Sequence, residues 1–276
     1  MTERVILYCQ VSQHKKGNKM TFSTTNLTTS GGVPFVSAAE LTASTTTPVF
    51  PYGAIYKDLH PTLGPREFKY VQFHAAASRG DSARFLDPIA VTNITSGTTT
   101  SVTLTGAGWT ANLYKGGLLR CLDDAGGAGA APEGEIARIK SNTTDTIYLE
   151  SSDAFSATTA ANDDFQIILP WAVQDAAAGD VARNVAGVAM ATQAQYSWGW
   201  VQYKGLNPYV NVVAAGTAIT TKKSLITGTN VLTDGSTSAA ELRVGFVMHA
   251  VTSDTVARYA LVDLNCGPAF SLGASA

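Results

Sequence analysis

Charge is what this chain has least of: 14% of its 276 residues are charged, against about 25% in an ordinary soluble domain. With a formal net charge of −2 and no basic stripe interleaved with aromatics, it lacks the electrostatic footprint of a nucleic-acid binder. Cysteine is equally sparse. Cys9, Cys121 and Cys266 are odd in number and widely separated, which excludes a disulfide framework and a metal knuckle and fits a reducing cytoplasm. No apolar run approaches the ~20 residues of a membrane span. The apolar Val5–Val11 stretch follows Glu3 and Arg4, is broken by Gln10, and runs into Lys15 and Lys16 with no small-residue cleavage site, so it reads as no secretion signal.

Catalytic signatures are missing too. There is no phosphate-binding G-x-x-x-x-G-K-[ST], no zinc-binding H-E-x-x-H and no nucleophile elbow. Gly127-Ala-Gly129 opens like a dinucleotide loop but runs into Pro132, and reads as a hairpin tip. His14, His60, His74 and His249 stand singly, as structural histidines do. Asp123-Asp124 and Asp163-Asp164 lie outside any calcium-loop pattern and read as solvated turns. Arg79-Gly80-Asp81 spells the integrin-recognition tripeptide, yet three fixed letters recur by chance and a tight turn accounts for Gly80. These residues assign no catalytic, cofactor-binding or metal-binding position.

What is present is small, β-branched or aromatic: 40 alanines, 34 threonines, 10 Tyr, 10 Phe and 4 Trp. That is enough apolar surface to offset chain entropy. Strand signals dominate. Arg66–Phe73 reads as a strand opened by the Gly64-Pro65 turn, with Phe68, Tyr70 and Gln72 on one face and Lys69, Val71 and Phe73 on the other. Ser101–Thr105 alternates with period two, and Glu135–Lys140 with Thr146–Glu150 has the spacing of a hairpin with a five-residue loop. Tyr196, Trp198 and Trp200 share a face, with Gly199 leaving room on the other. From Leu242 to Ala250, Leu242, Val244, Phe246 and Met248 alternate with Arg243, Gly245, Val247 and His249, which predicts a half-buried strand. The best helical candidate, Ala-rich Asp175–Met190, is weakened by Gly179, Gly187 and its valines.

Charge is unevenly distributed. From Cys121 to Asp180 eleven acids face only Arg138 and Lys140, a local −9 that leaves +7 elsewhere. Residues 12–50 are rich in Thr, Ser and Gly and poor in large apolars, the composition of a segment ordered only against something else. The prediction is an all-β fold: an extended N-terminal arm over 1–50, a β-barrel or sandwich from 51–89 with 169–276, and an inserted small acidic β-module over 90–168.

The order of features adds a resemblance. Gly64-Pro-Arg-Glu-Phe-Lys-Tyr-Val71, then Gly80-Asp81, Ala178-Gly-Asp-Val-Ala-Arg-Asn-Val-Ala-Gly-Val-Ala189, Tyr196-Ser-Trp-Gly-Trp-Val-Gln-Tyr-Lys-Gly205 and Ala257-Arg-Tyr-Ala-Leu-Val-Asp-Leu264 resemble the head decoration, or cement, proteins of tailed bacteriophages. Gly116 to Leu149 is similar to a small β-module of phage virion proteins. The resemblance covers about residues 50 to 265 and implies a structural protein made in the host cytoplasm and carried on the capsid exterior. It further implies that the chain binds the major capsid protein, clamps neighbouring subunits and assembles as a homo-oligomer, with a trimer favoured. It implies no cofactor, metal, direct nucleic acid or membrane. Candidate partner contacts are Phe22, Leu27, Phe35 and Phe50 on the arm and Trp198, Trp200 and Tyr203 on the barrel. The arm would add strands to a capsid subunit. A second reading is a tail-fibre or receptor-binding component recognising host glycans through the module or Trp198 and Trp200; a third is a polysaccharide hydrolase, which needs a carboxylate pair in a cleft.

Overall fold

A computed structural model of the chain describes residues 36–124, 129–176, 185–213, 219, 224–227, 231–234, 244–251 and 258–266. The described chain is all-β apart from single turns of helix. In order it forms α1 (Ala38–Leu41), β1 (Ile55–His60), β2 (Gly64–Phe73), β3 (Ser82–Phe85), β4 (Ile89–Val91), β5 (Ser96–Thr98), β6 (Ser101–Thr103), β7 (Leu118–Asp123), β8 (Ile136–Asn142) and β9 (Thr146–Leu149). There follow a 3-10 turn at Ser151–Asp153, then β10 (Asp164–Ile168), β11 (Ala172–Asp175), β12 (Val185–Ala189), β13 (Ser197–Val213), β14 (Ser224–Thr227), β15 (Leu232–Asp234), β16 (Gly245–Val247) and β17 (Arg258–Asn265).

Strand pairing closes on itself twice. β2 pairs with β11, β11 with β3, β3 with β12, β12 with β13, and β13 returns to β2. The C-terminal half of the 17-residue β13 then pairs with β15, which leads through β14, β16 and β17 back to β13. The result is two five-stranded barrels sharing one strand. Closure removes free edges from both.

Each barrel has its own filling. Val71, Phe73, Ala77, Ala83, Val173, Ala186, Ala189 and Val201 fill the first. The second is filled mainly by Val210, Val212, Leu225, Leu232, Val247, Val262 and Leu264. β12 lies between them, its Val185 and Val188 in the second core and its Ala186 and Ala189 in the first. A strand buried on both faces needs a continuous small apolar run, and Val-Ala-Gly-Val-Ala supplies it. These residues end the helical candidate Asp175–Met190, and they form a strand because both faces are covered; 177–184 lie outside the described residues.

The second sheet occupies the chain between β3 and β11, in the order β4-β10-β7-β8-β9-β6-β5. It rolls up around Val102, Leu119, Ile139, Ile147, Phe165 and Ile167. Residues 155–163 seal it: Phe155 N–H donates to Thr99 O, Asn162 N–H to Ile94 O, and the Thr159 hydroxyl to Thr98 O. Over 89–168 nine acids stand against four bases, because this segment takes in Lys115 and Arg120 and leaves out Asp175 and Asp180. Its charge is therefore −5, milder than the −9 of the narrower Cys121–Asp180 window.

Four expectations change. The segment 36–50 is not an arm: Ser37 and Glu40 cap α1 reciprocally, Val36 and Leu41 are buried, and Thr45 exchanges main-chain bonds with Trp198. Its few apolar residues find the chain's own sheet. Before β2 lies a second strand, β1, which forms a hairpin with it. The β8–β9 loop is three residues, not five, because the ladder continues to Asn142↔Ile147. In β16 the alternation is inverted: Val247 is fully buried while Phe246 and Met248 are exposed. Val244 and Gly245 are both buried, and this break in alternation shifts the phase.

Candidate interaction surface

Phe22, Leu27 and Phe35 lie outside the described residues. Phe50, Trp198 and Trp200 come together, but inward. Trp200 is fully buried, its ring 5.2 Å from Phe50 and 5.1 Å from Tyr70. Tyr52 stacks between Trp171 and Trp198, at 4.8 Å from each. This seam joins the outer face of the first barrel to the rolled second sheet, since Phe50, Tyr70, Trp171, Trp198 and Trp200 share one core with Leu119, Phe165 and Leu169. As partner contacts Trp198 and Trp200 are therefore corrected: burial inside the chain leaves no face to stack on a sugar or another subunit. Gly199 leaves room, as its pattern predicts, for the Gln193 amide, which a Cβ would meet at 2.3 Å.

Tyr203 is half-buried. Its hydroxyl donates to Glu67 at 2.6 Å, and Glu67 also meets Lys57 at 3.4 Å and Lys204 at 3.6 Å. The Tyr203 hydrogen bond, with the two lysines, holds the Glu67 carboxyl below its ordinary value, while burial and that same carboxylate raise the Tyr203 phenol. The pair ties β2 to β13 beside the junction of the two barrels.

The Arg79-Gly80-Asp81 turn packs on the second barrel. Gly80 has φ +91°, and a Cβ there would lie 2.1 Å from Tyr209 O, so only glycine fits. Asp81 is spent on the turn: Ser78 N–H donates to its carboxylate at 2.7 Å and Asn211 Nδ2 at 2.7 Å. Gly80 N–H donates to Ala189 O, and Asn211 N–H to Gly80 O. A tripeptide pinned through all three residues is not displayed as a receptor loop, and the tight-turn reading accounts for it.

The same turn holds up a surface that the residue pattern did not single out. The Arg79 guanidinium lies 3.5 Å from the Tyr209 ring centroid, and Tyr209 meets Tyr259 edge-on at 6.0 Å. Asn211 and the Tyr259 hydroxyl both donate to Arg79 O. Tyr259 is 56% exposed and Tyr209 40%. Tyr259 and Asp263 face outward on β17, and Phe246 lies outward beside Asp263 on the paired β16, with Met248 following. Tyr209, Tyr259 and Phe246 on the barrel strands, with Arg79 and Met248 beside them, are of the residue types enriched at protein contacts.

Buried reactive groups are quiet. Cys121 and Cys266 are unbridged, and burial pushes both thiols up to about 12, far from thiolate chemistry at neutral pH. Burial lowers His74 to about 4. Among the described residues no three His, Cys, Asp or Glu side chains gather as metal ligands, and no helix is long and apolar enough to cross a membrane. Comparison with family models, curated proteins and solved structures found no match.

Proposed function

We propose that the chain is a structural virion protein that binds the outer surface of a phage capsid, contacting the major capsid protein and clamping neighbouring subunits. The observation that carries this reading is the Arg79–Tyr209–Tyr259 surface with Phe246 and Met248. Tyr209, Tyr259, Phe246 and Met248 are exposed, and the Gly80 turn and a closed barrel hold them with the half-buried Arg79 beside them. Rigidity suits a clamp, since little side-chain entropy is lost on docking. The Tyr196–Gly205 run that resembles decoration proteins forms the first half of the strand shared by both barrels, so it marks the skeleton that presents this surface. In this reading the second sheet projects away from the shell, and residues 1–35 reach a capsid subunit.

Binding to purified undecorated capsids, read by co-sedimentation and cryo-EM, tests the reading. The full chain is expected to occupy the head in many copies. Arg79→Ala with Tyr259→Ala is expected to weaken binding about 30-fold or more, as hot-spot losses do. Undiminished binding by that double variant would sink the assigned surface; absence from the head would sink the function. Truncation must stop at Phe35, because removing 36–50 also removes Val36, Leu41 and Phe50 from the core.

A further inference from the structure

Both barrels are closed, so the edge of β1 stands out. Among the described residues β1 pairs with β2 and with no other strand. Tyr70 N–H donates to Ala54 O, so the even-numbered residues of the strand turn their main-chain groups toward β2. By the antiparallel alternation, Ile55, Lys57 and Leu59 turn theirs outward. Their side chains are exposed as well: Leu59 at 80%, Ile55 at 48% and the Lys57 side chain at 70%. The opposite face is fastened, with Tyr56 stacked on Phe68 at 6.0 Å and Asp58 paired to Arg66. A rigid six-residue edge carrying two exposed apolar side chains is a site for strand addition unless something covers it.

The residues of that edge complement themselves. We propose that β1 pairs antiparallel with β1 of a second copy about a two-fold axis through Lys57, continuing the sheet across the dimer. In this register Ile55 opposes Leu59 of the second copy, Leu59 opposes Ile55, and Tyr56 opposes Asp58. The outward groups of residues 55, 57 and 59 then exchange about six main-chain hydrogen bonds. The two Lys57 ammoniums meet at the axis, each already 3.4 Å from the Glu67 carboxylate of its own β2, so like charges are not left bare. A slip to the next permitted register sets Asp58 against Asp58 and Lys57 against Leu59, and loses both apolar pairs. The pairing is isologous and closes at two copies. It concerns the isolated chain and stands apart from the capsid reading.

Sedimentation velocity of the full chain across a concentration series tests it, with Lys57→Pro and Leu59→Asp alongside. Lys57→Pro removes an outward N–H, which an edge strand tolerates, together with the Lys57–Glu67 ion pair. Leu59→Asp keeps the backbone intact should the proline disturb the hairpin, and thermal melts check that both variants fold. A dimer is expected for the natural sequence, with the dissociation constant raised about tenfold or more in each folded variant. A monomer at every concentration overturns the proposal, as does a dimer or trimer that both variants leave intact. Protection of β1 amides from hydrogen exchange only when capsid is added would also overturn it, by giving the edge to a capsid strand.

Discussion

The two barrels share a strand yet are built from different material. The first is filled by alanines, valines and Phe73, and its outer face carries the large rings, Phe68, Tyr70, Trp198 and Trp200, that weld it to the second sheet. The second is filled almost wholly by Val, Leu and Ile, and its outer face carries Tyr209, Tyr259, Phe246 and Met248 in solvent. One barrel thus spends its aromatics inside the chain, and the other displays them. Apolar content alone does not mark a contact surface; what matters is whether the chain itself covers the aromatic face.

The sharpest way to break this contrast is to remove one large side chain from the seam on the first barrel's outer face and one from the filling of the second. Trp200→Ala should cost about 3–5 kcal/mol in chemical denaturation, because a fully buried ring in contact with Phe50, Tyr56 and Tyr70 is lost. Leu225→Ala in the second barrel should cost about 2–5 kcal/mol. Because β13 runs through both barrels, each variant should still unfold in one transition whether followed by tryptophan fluorescence or by far-ultraviolet dichroism. Two separated transitions would show that the shared strand does not couple the barrels.

A smaller effect is expected where β13 passes from one barrel to the other. Gly205 has φ +87°, and a Cβ would lie 2.2 Å from Pro65 O. Gly205→Ala therefore combines left-handed strain with a backbone clash and should cost about 1–3 kcal/mol. A stable Ala variant with unchanged melting would mean that the crossing is looser than the register implies.

The contrast also explains what the residues disclosed in advance. Strands such as Arg66–Phe73 and Tyr196–Tyr203 are legible because their clustered aromatic and β-branched residues mark a strand even where both faces are buried. The face shared by Trp198 and Trp200 was readable, but not what covers it, since Tyr52, Phe50 and Trp171 arrive from elsewhere in the chain. The Ser37-Ala-Ala-Glu40 capping box was a local signal of α1, outweighed by the surrounding threonines. β1 was hidden because Ile55-Tyr-Lys-Asp-Leu-His60 has apolar residues on both faces. The Arg79–Tyr209–Tyr259 surface joins positions 130 and 180 residues apart, and no spacing rule reports such a meeting.

The finest distinction between the barrels lies at the Tyr203–Glu67 bond, where a side chain packed against the second core donates to a carboxylate on a strand of the first. Tyr203→Phe keeps the ring and should cost about 1 kcal/mol at neutral pH, a charge-assisted hydrogen bond discounted for partial exposure. Its sign with pH follows from Glu67. The folded-state value lies below the ordinary carboxyl value of 4.5, so ionised Glu67 stabilises the fold fully above that pH, and the contribution is lost as pH falls through the lower folded value. Denaturation midpoints of the natural sequence and Tyr203→Phe should thus differ at pH 7 and converge below pH 4.5. A difference that persists unchanged into acid would show that the hydroxyl acts through packing, and that the carboxylate does not link the two barrels.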